Sequence, residues 1–505
     1  MASAGLFNAV LAGFDVLAQP VNFVLLVSAT ILGVVVGMLP GLGGVILLGL
    51  LIPLTFGLEP VVAFMVLAAA NGGTSQGGAL TAILINTPGK APNAATILDG
   101  YPLARQGRAG EAIGVSATAS ALGAILGIGV LLLSIPIMLQ IVLLFGSPEV
   151  FWLGVWGLTI LSVVVKGSVV TGLLSGVIGV LISMHGVNNL SATTRWTYGL
   201  TNLLDGVGLV PALIGLFAVA EMIKLVSEGG EIAKEADSIA VTGGRVRGMK
   251  AVFEHWWLFL RAALIGLIIG IIPGVGGVTA NFVAYFQAAQ SVPDNENFGK
   301  GDIRGVIASE ASNDAKEGGA YIPTLAFGVP GSASMAVLFG AFLLHGITPG
   351  PLLIQEHLDI VAIIVLAALA SNVLSSLFTL AIAEELAKVT RIDITYLAPA
   401  VLGIALYASY ALANNVFNMY VTMFFGVVGF LMMKGNMSRI PLVLGMVLGP
   451  IVEANFFRSI QISRGDPAIF VRSPVTWILI GLVVVSLLLP YLRRKAQVAE
   501  VVGGG

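Results

Sequence analysis

Apolar residues run through this chain in long stretches. They show neither the alternation of a half-buried strand nor the stripe of a surface helix. Val21 to Leu39, Ala112 to Val130, Phe151 to Val165, Thr171 to Met184, Leu258 to Ile272, Ile360 to Ile382, Val416 to Met433 and Trp477 to Leu492 carry one charge between them, Arg261. A helix needs about 20 such residues to cross a bilayer. Some stretches are shorter and shade into their neighbours, so the pattern predicts roughly ten to twelve spans. The fold class expected is an all-α polytopic, multi-pass membrane protein in a lipid bilayer.

The pattern changes between Met222 and Glu254, where KLVSEGGEIAKEADSIAVTGGRVRGMK is polar and mixed in charge. That segment reads as a linker, residues 223–254, between a first transmembrane repeat (1–222) and a second (255–492), followed by a tail (493–505). Lys224, Lys234, Arg245, Arg247 and Lys250 in the linker, and Arg493-Arg494-Lys495 in the tail, place both in the cytoplasm by the positive-inside rule. The start, MASAGLFNAV, has no cationic region and does not read as a cleaved signal peptide. Ile440 to Glu453 either spans or re-enters, and the pattern leaves the side of Arg458, Arg464 and Arg472 open.

Composition narrows the function classes. The 505 residues are 57% hydrophobic and 10% charged, with a formal net charge of -2. Soluble proteins carry about 25% charged residues, so a water-soluble enzyme is excluded. There is no basic stripe for nucleic acid. The absence of cysteine and the presence of only four histidines argue against disulfides, thiolate metal sites and a histidine-built metal centre. No nucleophile constellation points to an intramembrane enzyme, and no cofactor is expected.

The two halves resemble each other. GVVVGMLPGLGGV ends at Val45 and GLIIGIIPGVGGV at Val278, so that Pro40 maps onto Pro273 at an offset of 233. NGGTSQGGALTAILINTPG is matched by NDAKEGGAYIPTLAFGVPG: Gly77-Gly78 with Gly318-Gly319 at 241, Asn71 with Asn313 and Pro88 with Pro330 at 242. The polar insertion from Val292 to Gly305 absorbs the change in offset. An ordered set of motifs at nearly constant spacing implies duplication with a shared role.

Pro-Gly inside an apolar run breaks a helix, because proline lacks an N–H and clashes with the preceding turn. Such breaks at matching places in two halves point to a transporter's binding site. A helix restarting there presents free N–H groups to an anion. Small polar side chains surround the breaks. The candidates for substrate binding are Asn71, Thr74, Ser75, Pro88, Gly89, Asn93 and Thr96 in one half, and Asn313, Thr324, Pro330, Gly331 and Ser332 in the other. The other helix breaks are Pro40-Gly41 and Pro273-Gly274. The expectation is that N–H groups of Gly89 and Gly331 receive carboxylate oxygens.

GGALTAILINTPGKAPNAATILDGYPLARQGRAGEAIG and FGKGDIRGVIASEASNDAKEGGAYIPTLAFGVPGSASMAVLFGAFLLHGITPGP resemble the signature of the large membrane subunit of tripartite tricarboxylate transporters, the TctA family. Arg195-Trp196-Thr197-Tyr198-Gly199 and GMVLGPIVEANFFRSIQISRGDPAIF are smaller matches, and together they cover the chain from about Gly33 to about Pro474. The resemblance implies a permease in a bacterial inner membrane that imports carboxylates by secondary transport. It implies two partners, a small membrane subunit (TctB-like) and a periplasmic substrate-binding protein (TctC-like). It also implies two inverted halves with re-entrant or discontinuous helices, and coupling to Na+ or H+. The absence of a GxxxxGK[ST] phosphate loop agrees with transport not driven by ATP. A channel, or a carrier without a binding protein, is the alternative. Two positions depart from the family pattern: Lys90, and Asp314 after Asn313.

Charged residues within apolar surroundings are functional candidates. Glu310 and Asp314 are spaced to share one helix face, and are the ion-coupling candidates, against a reading as an interfacial loop with Lys316 as counter-charge. Lys90 reads as a side chain snorkelling to the interface, with pairing to a substrate carboxylate as the alternative. Tyr285 reads as core and His345 as a helix-end histidine.

Overall fold

Without water, every backbone N–H and C=O inside a bilayer must be satisfied within the chain, and a helix does this locally. A computed structural model describes residues 2–39, 43–164, 169–188, 193–228, 243–273, 275–387 and 394–503. In the first half the helices are α1 (Ala2–Ala18), α2 (Pro20–Gly37), α3 (Gly43–Thr55), α4 (Pro60–Leu84), α5 (Ala94–Leu103), α6 (Ala109–Val142), α7 (Ser147–Val164), α8 (Val169–Ser183), α9 (Leu209–Ile214) and α10 (Ala220–Glu228). In the second they are α11 (Arg245–Glu254), α12 (Trp256–Ile271), α13 (Gly276–Ser291), α14 (Ile303–Phe327), α15 (Ala333–Leu344), α16 (Pro351–Glu356), α17 (Leu358–Ala387), α18 (Ile394–Ala411), α19 (Val416–Lys434), α20 (Ile440–Ile462) and α21 (Pro474–Gly503). The only strands among the described residues pair Gly186–Val187 with Thr194–Arg195.

Among the described residues, each apolar stretch singled out above lies in a helix over nearly all its length. Among the described residues, six helical segments are long and apolar enough to cross a membrane: 20–37, 91–142, 209–227, 358–386, 416–434 and 440–462. The pair α11–α12, bent by 81°, is either a broken span, which would be a seventh, or a re-entrant loop. Shorter apolar helices stand beside them, among them α3 and α15, of 13 and 12 residues. Ile440 to Glu453 is simply the first part of the continuous helix α20. Part of the expected polar linker, Arg245–Glu254, is also helix, and it is packed against α6 through Gly248 and the Glu111 carbonyl. Pro40, Gly41 and Gly274 lie outside the described residues; Pro273 is buried in the turn between α12 and α13.

Large apolar side chains cover the outside. Val21, Leu133, Val170 and Trp257 are each more than 70% exposed, as suits a surface that meets lipid rather than water.

The duplication is visible in the packing. A Cβ on Gly37 would lie 2.7 Å from Thr74 Cα, and on Gly270 3.0 Å from Lys316 Cα. Gly33 likewise abuts Ala70, and Gly266 abuts Ser312. Stripes of small residues of this kind let membrane helices approach closely, here α2 on α4 and α12 on α14. The contacts also refine the register. Gly77 packs on Gly37 and Gly319 on Gly270, so Gly77 corresponds to Gly319, one residue beyond the pairing read from the sequence. The single offset of 242 then holds from Asn71 to Gly89.

The halves exchange helices. α14 packs along α6 of the first half, and α4 packs along α17 of the second. Further on, α20 packs against α7 and α8, while α9 and α10 pack against α18 and α19. Each half thus completes the other.

Candidate functional site

α4 and α14 carry the polar runs NGGTSQGG and SEASNDAKEGG, yet nearly every residue from Ala63 to Leu84 and from Gly305 to Ala326 is buried. They cross where Asn71 reaches the Tyr321 hydroxyl and where Lys90 is shared between Ser75 and Glu317. Asn71 precedes Ser75 and Tyr321 follows Glu317, so the two equivalent helices run in opposite directions through the crossing.

Duplication places two equivalent constellations on either side. On one side, Gly44 at the start of α3 faces Asn71 Oδ1, Thr74 Oγ1 and Ser334 Oγ: a Cβ there would lie 2.5, 3.2 and 3.1 Å from them. Ser334 sits in the first turn of α15, which Ser332 caps by accepting from Met335 N. On the other side, Gly277 at the start of α13 faces Lys316 and Pro92; a Cβ there would lie 2.9 Å from both Lys316 Cδ and Pro92 Cγ. The counterparts of Thr74, Ser75 and Ser332 are Lys316, Glu317 and Lys90. Three hydroxyls on one side are three charges on the other. Lys316 Nζ is 2.5 Å from Glu317 Oε1, and Lys90 Nζ is 3.8 Å from the same oxygen and 3.3 Å from Ser75 Oγ. Two ammonium groups thus share one carboxylate at this centre, with the Asp314 carboxyl near enough to act on them.

One turn before the triad on α14 lie Asp314 and Glu310, both fully buried. Glu310 accepts from Thr96 on α5 and, at 3.0 Å, from Ser120 on α6. Both oxygens of Asp314 lack hydrogen-bond partners, as do both side-chain polar atoms of Asn93 and of Asn313, and Asn71 Oδ1. Buried polar groups are almost always paired, and these atoms stand out against that rule.

The sequence profile of the "Tripartite tricarboxylate transporter TctA family" matches residues 23–444. The chain belongs to the TctA family. It is 34% identical over 496 residues to an Agrobacterium vitis protein described as "Uncharacterized 52.8 kDa protein in TAR-I ttuC' 3'region", covering 96% of both chains. A second Agrobacterium vitis protein, "Uncharacterized protein in TAR-II ttuC' 3'region", is 34% identical over 233 residues, which is 46% of this chain and 96% of that one. No solved structure matches. This TctA-family chain is thus a multi-pass membrane protein and a tricarboxylate transporter component.

Within this TctA-family chain the expected residues divide into groups. Asn71, Thr74 and Ser75 face the centre. Asn93 and Thr96 turn instead toward Glu310. The expectation of free N–H groups at Gly89 and Gly331 is corrected: Gly331 N donates to Thr324 Oγ1 (3.0 Å), and Gly89 N points to the Gly78 carbonyl (3.4 Å). Both glycines are places of close approach, with Gly89 against the Gly37 carbonyl and Gly331 against Ala320. Pro88, Pro330 and Thr324 hold these turns. Lys90 does not snorkel: its side chain is 9% exposed and held by Glu317. Glu310 and Asp314 lie on a buried helix, which excludes the loop reading.

Several ties escaped the sequence reading. Asp99 Oδ1 accepts from the N–H groups of Gly299, Gly301 and Asp302 at 2.8, 2.9 and 2.8 Å, and Oδ2 from the Tyr285 hydroxyl at 2.8 Å. It fastens α5 to the loop that carries α14. Tyr285 is therefore a polar anchor as well as core. The two smaller family motifs also meet. Arg195 forms a two-pronged pair with Glu453 (2.7 and 3.1 Å), to which Asn188 adds a bond of 3.0 Å. The hydrogen bonds that Arg195 donates to Glu453 hold its guanidinium above its ordinary pKa.

Proposed function

We propose that this chain is the large permease subunit of a tripartite, secondary active importer of tricarboxylates or related carboxylates. It acts in a bacterial inner membrane with a small membrane subunit and a periplasmic binding protein, driven by a Na+ or H+ gradient. The observation that carries the reading is the buried, charged centre where α4 and α14 cross, with Lys90 of the first half held by Glu317 of the second. The opposed direction of these two helices supports halves that are inverted across the membrane. Alternating access would then be a movement of one half against the other.

The substrate carboxylate would lie at the hydroxyl-lined side, among Asn71, Thr74, Ser75, Ser332 and Ser334, with Lys90 as its counter-charge and the N-terminus of α15 behind it. Glycine at position 44 leaves the space. On the opposite side the Lys316 side chain fills the equivalent space, so Asn313 and Gly331 support the site rather than touch substrate. Glu310 and Asp314 would carry the coupling ion.

The test is uptake of labelled citrate, succinate and an aromatic dicarboxylate by cells making this chain with both partner subunits. Accumulation above the external concentration is expected, abolished by collapsing the ion gradient or by omitting either partner. Flux that only equilibrates the substrate would indicate a channel. Undiminished uptake without the binding protein would overturn the tripartite reading.

A further inference from the structure

We infer that the elbow between α11 and α12 binds an anionic phospholipid of the cytoplasmic leaflet. The inference does not rest on the transporter reading. Arg261 is the one charge within the apolar stretches singled out above, and it is exposed on α12. It stands at helical spacing from Trp257, Leu264 and Ile268, which are 77%, 46% and 59% exposed. An arginine thus faces lipid within an apolar row. The repeat shows that packing does not require it. At the offset that maps Pro40 onto Pro273, Arg261 corresponds to Ser28, which is exposed on α2 between exposed Val24 and Ile31. A charge facing hydrocarbon without a partner is costly.

α11 supplies the surroundings. It carries Arg245, Arg247, Lys250 and Glu254, charges that keep it at the surface, and the 81° bend sets it across the start of α12. Its inner side is Gly248, Ala251 and Val252, with Gly248 against α6. Its outer row is Val246, Lys250 and Phe253, at the spacing of one helix face. Phe253 stacks on Trp256 across the bend, with ring centres 6.3 Å apart, and Trp256 stacks on Phe259 at 4.9 Å. The stack braces the elbow. Arg245 is engaged by Glu384 and the Leu380 carbonyl. Arg247, Lys250 and Arg261 are exposed and have no ion-pair partner among the described residues, and the acid on the same surface is Glu254. A basic amphipathic helix with an aromatic edge suits an anionic membrane surface. Tryptophan favours the headgroup level. Arg261, about 8 Å along α12 from Trp256, can extend back to that level, where its guanidinium matches phosphate oxygens. Arg247 and Lys250 meet the same headgroup from the surface side, and the acyl chains follow Leu264 and Ile268. The basic linker before α11 places the elbow in the cytoplasmic leaflet.

Thermal unfolding of the purified full chain in neutral detergent, titrated with phosphatidylglycerol or with phosphatidylcholine, tests this without substrate or partner subunits. A ligand bound only by the folded state raises the melting temperature with its concentration. The expected result is a saturable rise with phosphatidylglycerol and a smaller one with phosphatidylcholine. Arg261→Ser, which installs the residue of the first half at an exposed position, is expected to weaken the apparent affinity for phosphatidylglycerol about fivefold. The double variant Arg247→Gln with Lys250→Gln should weaken it at least as much, and Lys434→Gln, an exposed cation at the end of α19, should not. Equal responses to the two lipids overturn the site, as does a phosphatidylglycerol response left intact by both elbow variants. If Arg261→Ser leaves the lipid response intact and instead releases a co-purified small membrane subunit, the face belongs to a protein partner and the lipid site is overturned.

Discussion

Lys90 shows how a residue's role depends on a partner far away in sequence. Beside Pro88-Gly89 it reads as a flexible cation near an interface. In the fold it is enclosed by Glu317, which belongs to the other half. Removing its charge while keeping its bulk should weaken substrate binding: Lys90→Gln is expected to raise KM for the imported carboxylate about tenfold or more, in line with the worth of a charge-assisted bond, with little change in protein abundance. Michaelis curves for variant and wild type measure this directly. Glu317 is the opposite case. Glu317→Gln leaves two buried ammonium groups without a carboxylate, and losing one partner of a buried pair costs about 3–5 kcal/mol. Its melting temperature in detergent should fall well below that of the double variant Lys316→Thr with Glu317→Ser, which installs the residues of the first half. Equal melting of the two would show that the triad is not an electrostatic unit.

At the scale of elements, the apolar stretches were legible because lipid selects for them, and each became helix. α4 did not read as a membrane-buried helix and α14 only as one of two alternatives, since burial there is provided by other helices and their polar faces look inward at the site. The clue available was the repeat, which marked both segments as breaks to be explained. The register needed structure: Gly77-Gly78 and Gly318-Gly319 match as letters, but packing on Gly37 and Gly270 moves the pairing by one. Those close contacts predict that Gly37→Val and Gly270→Val each destabilise the fold by overpacking, about 1–3 kcal/mol, while Gly49→Val, where a Cβ meets nothing within 4 Å, does not. Melting temperatures of the three variants decide this. Asp99 gathers three backbone N–H groups and a tyrosine hydroxyl, and nothing in its sequence neighbourhood announces it. Asp99→Leu strands those donors, and the variant should accumulate poorly in membranes.

At the scale of the molecule, each half lends helices to the other, so neither can hold the central polar residues alone. This explains why the candidate residues from the sequence were right in neighbourhood and uneven in role. The motifs identified the breaks, but which side kept hydroxyls and which acquired Lys316, Glu317 and Lys90 follows from how the halves cross. Because the chain contains no cysteine, a single thiol can be placed at the crossing and read without background. The decisive measurement is the rate at which a sulfonate-bearing thiol reagent modifies Ser334→Cys, with and without the carboxylate that the assembled system imports. The account predicts that saturating carboxylate slows modification about tenfold or more, and that Lys90→Gln in the same protein removes much of that protection. Modification unaffected by the transported carboxylate would contradict a substrate site where α3, α4 and α15 meet.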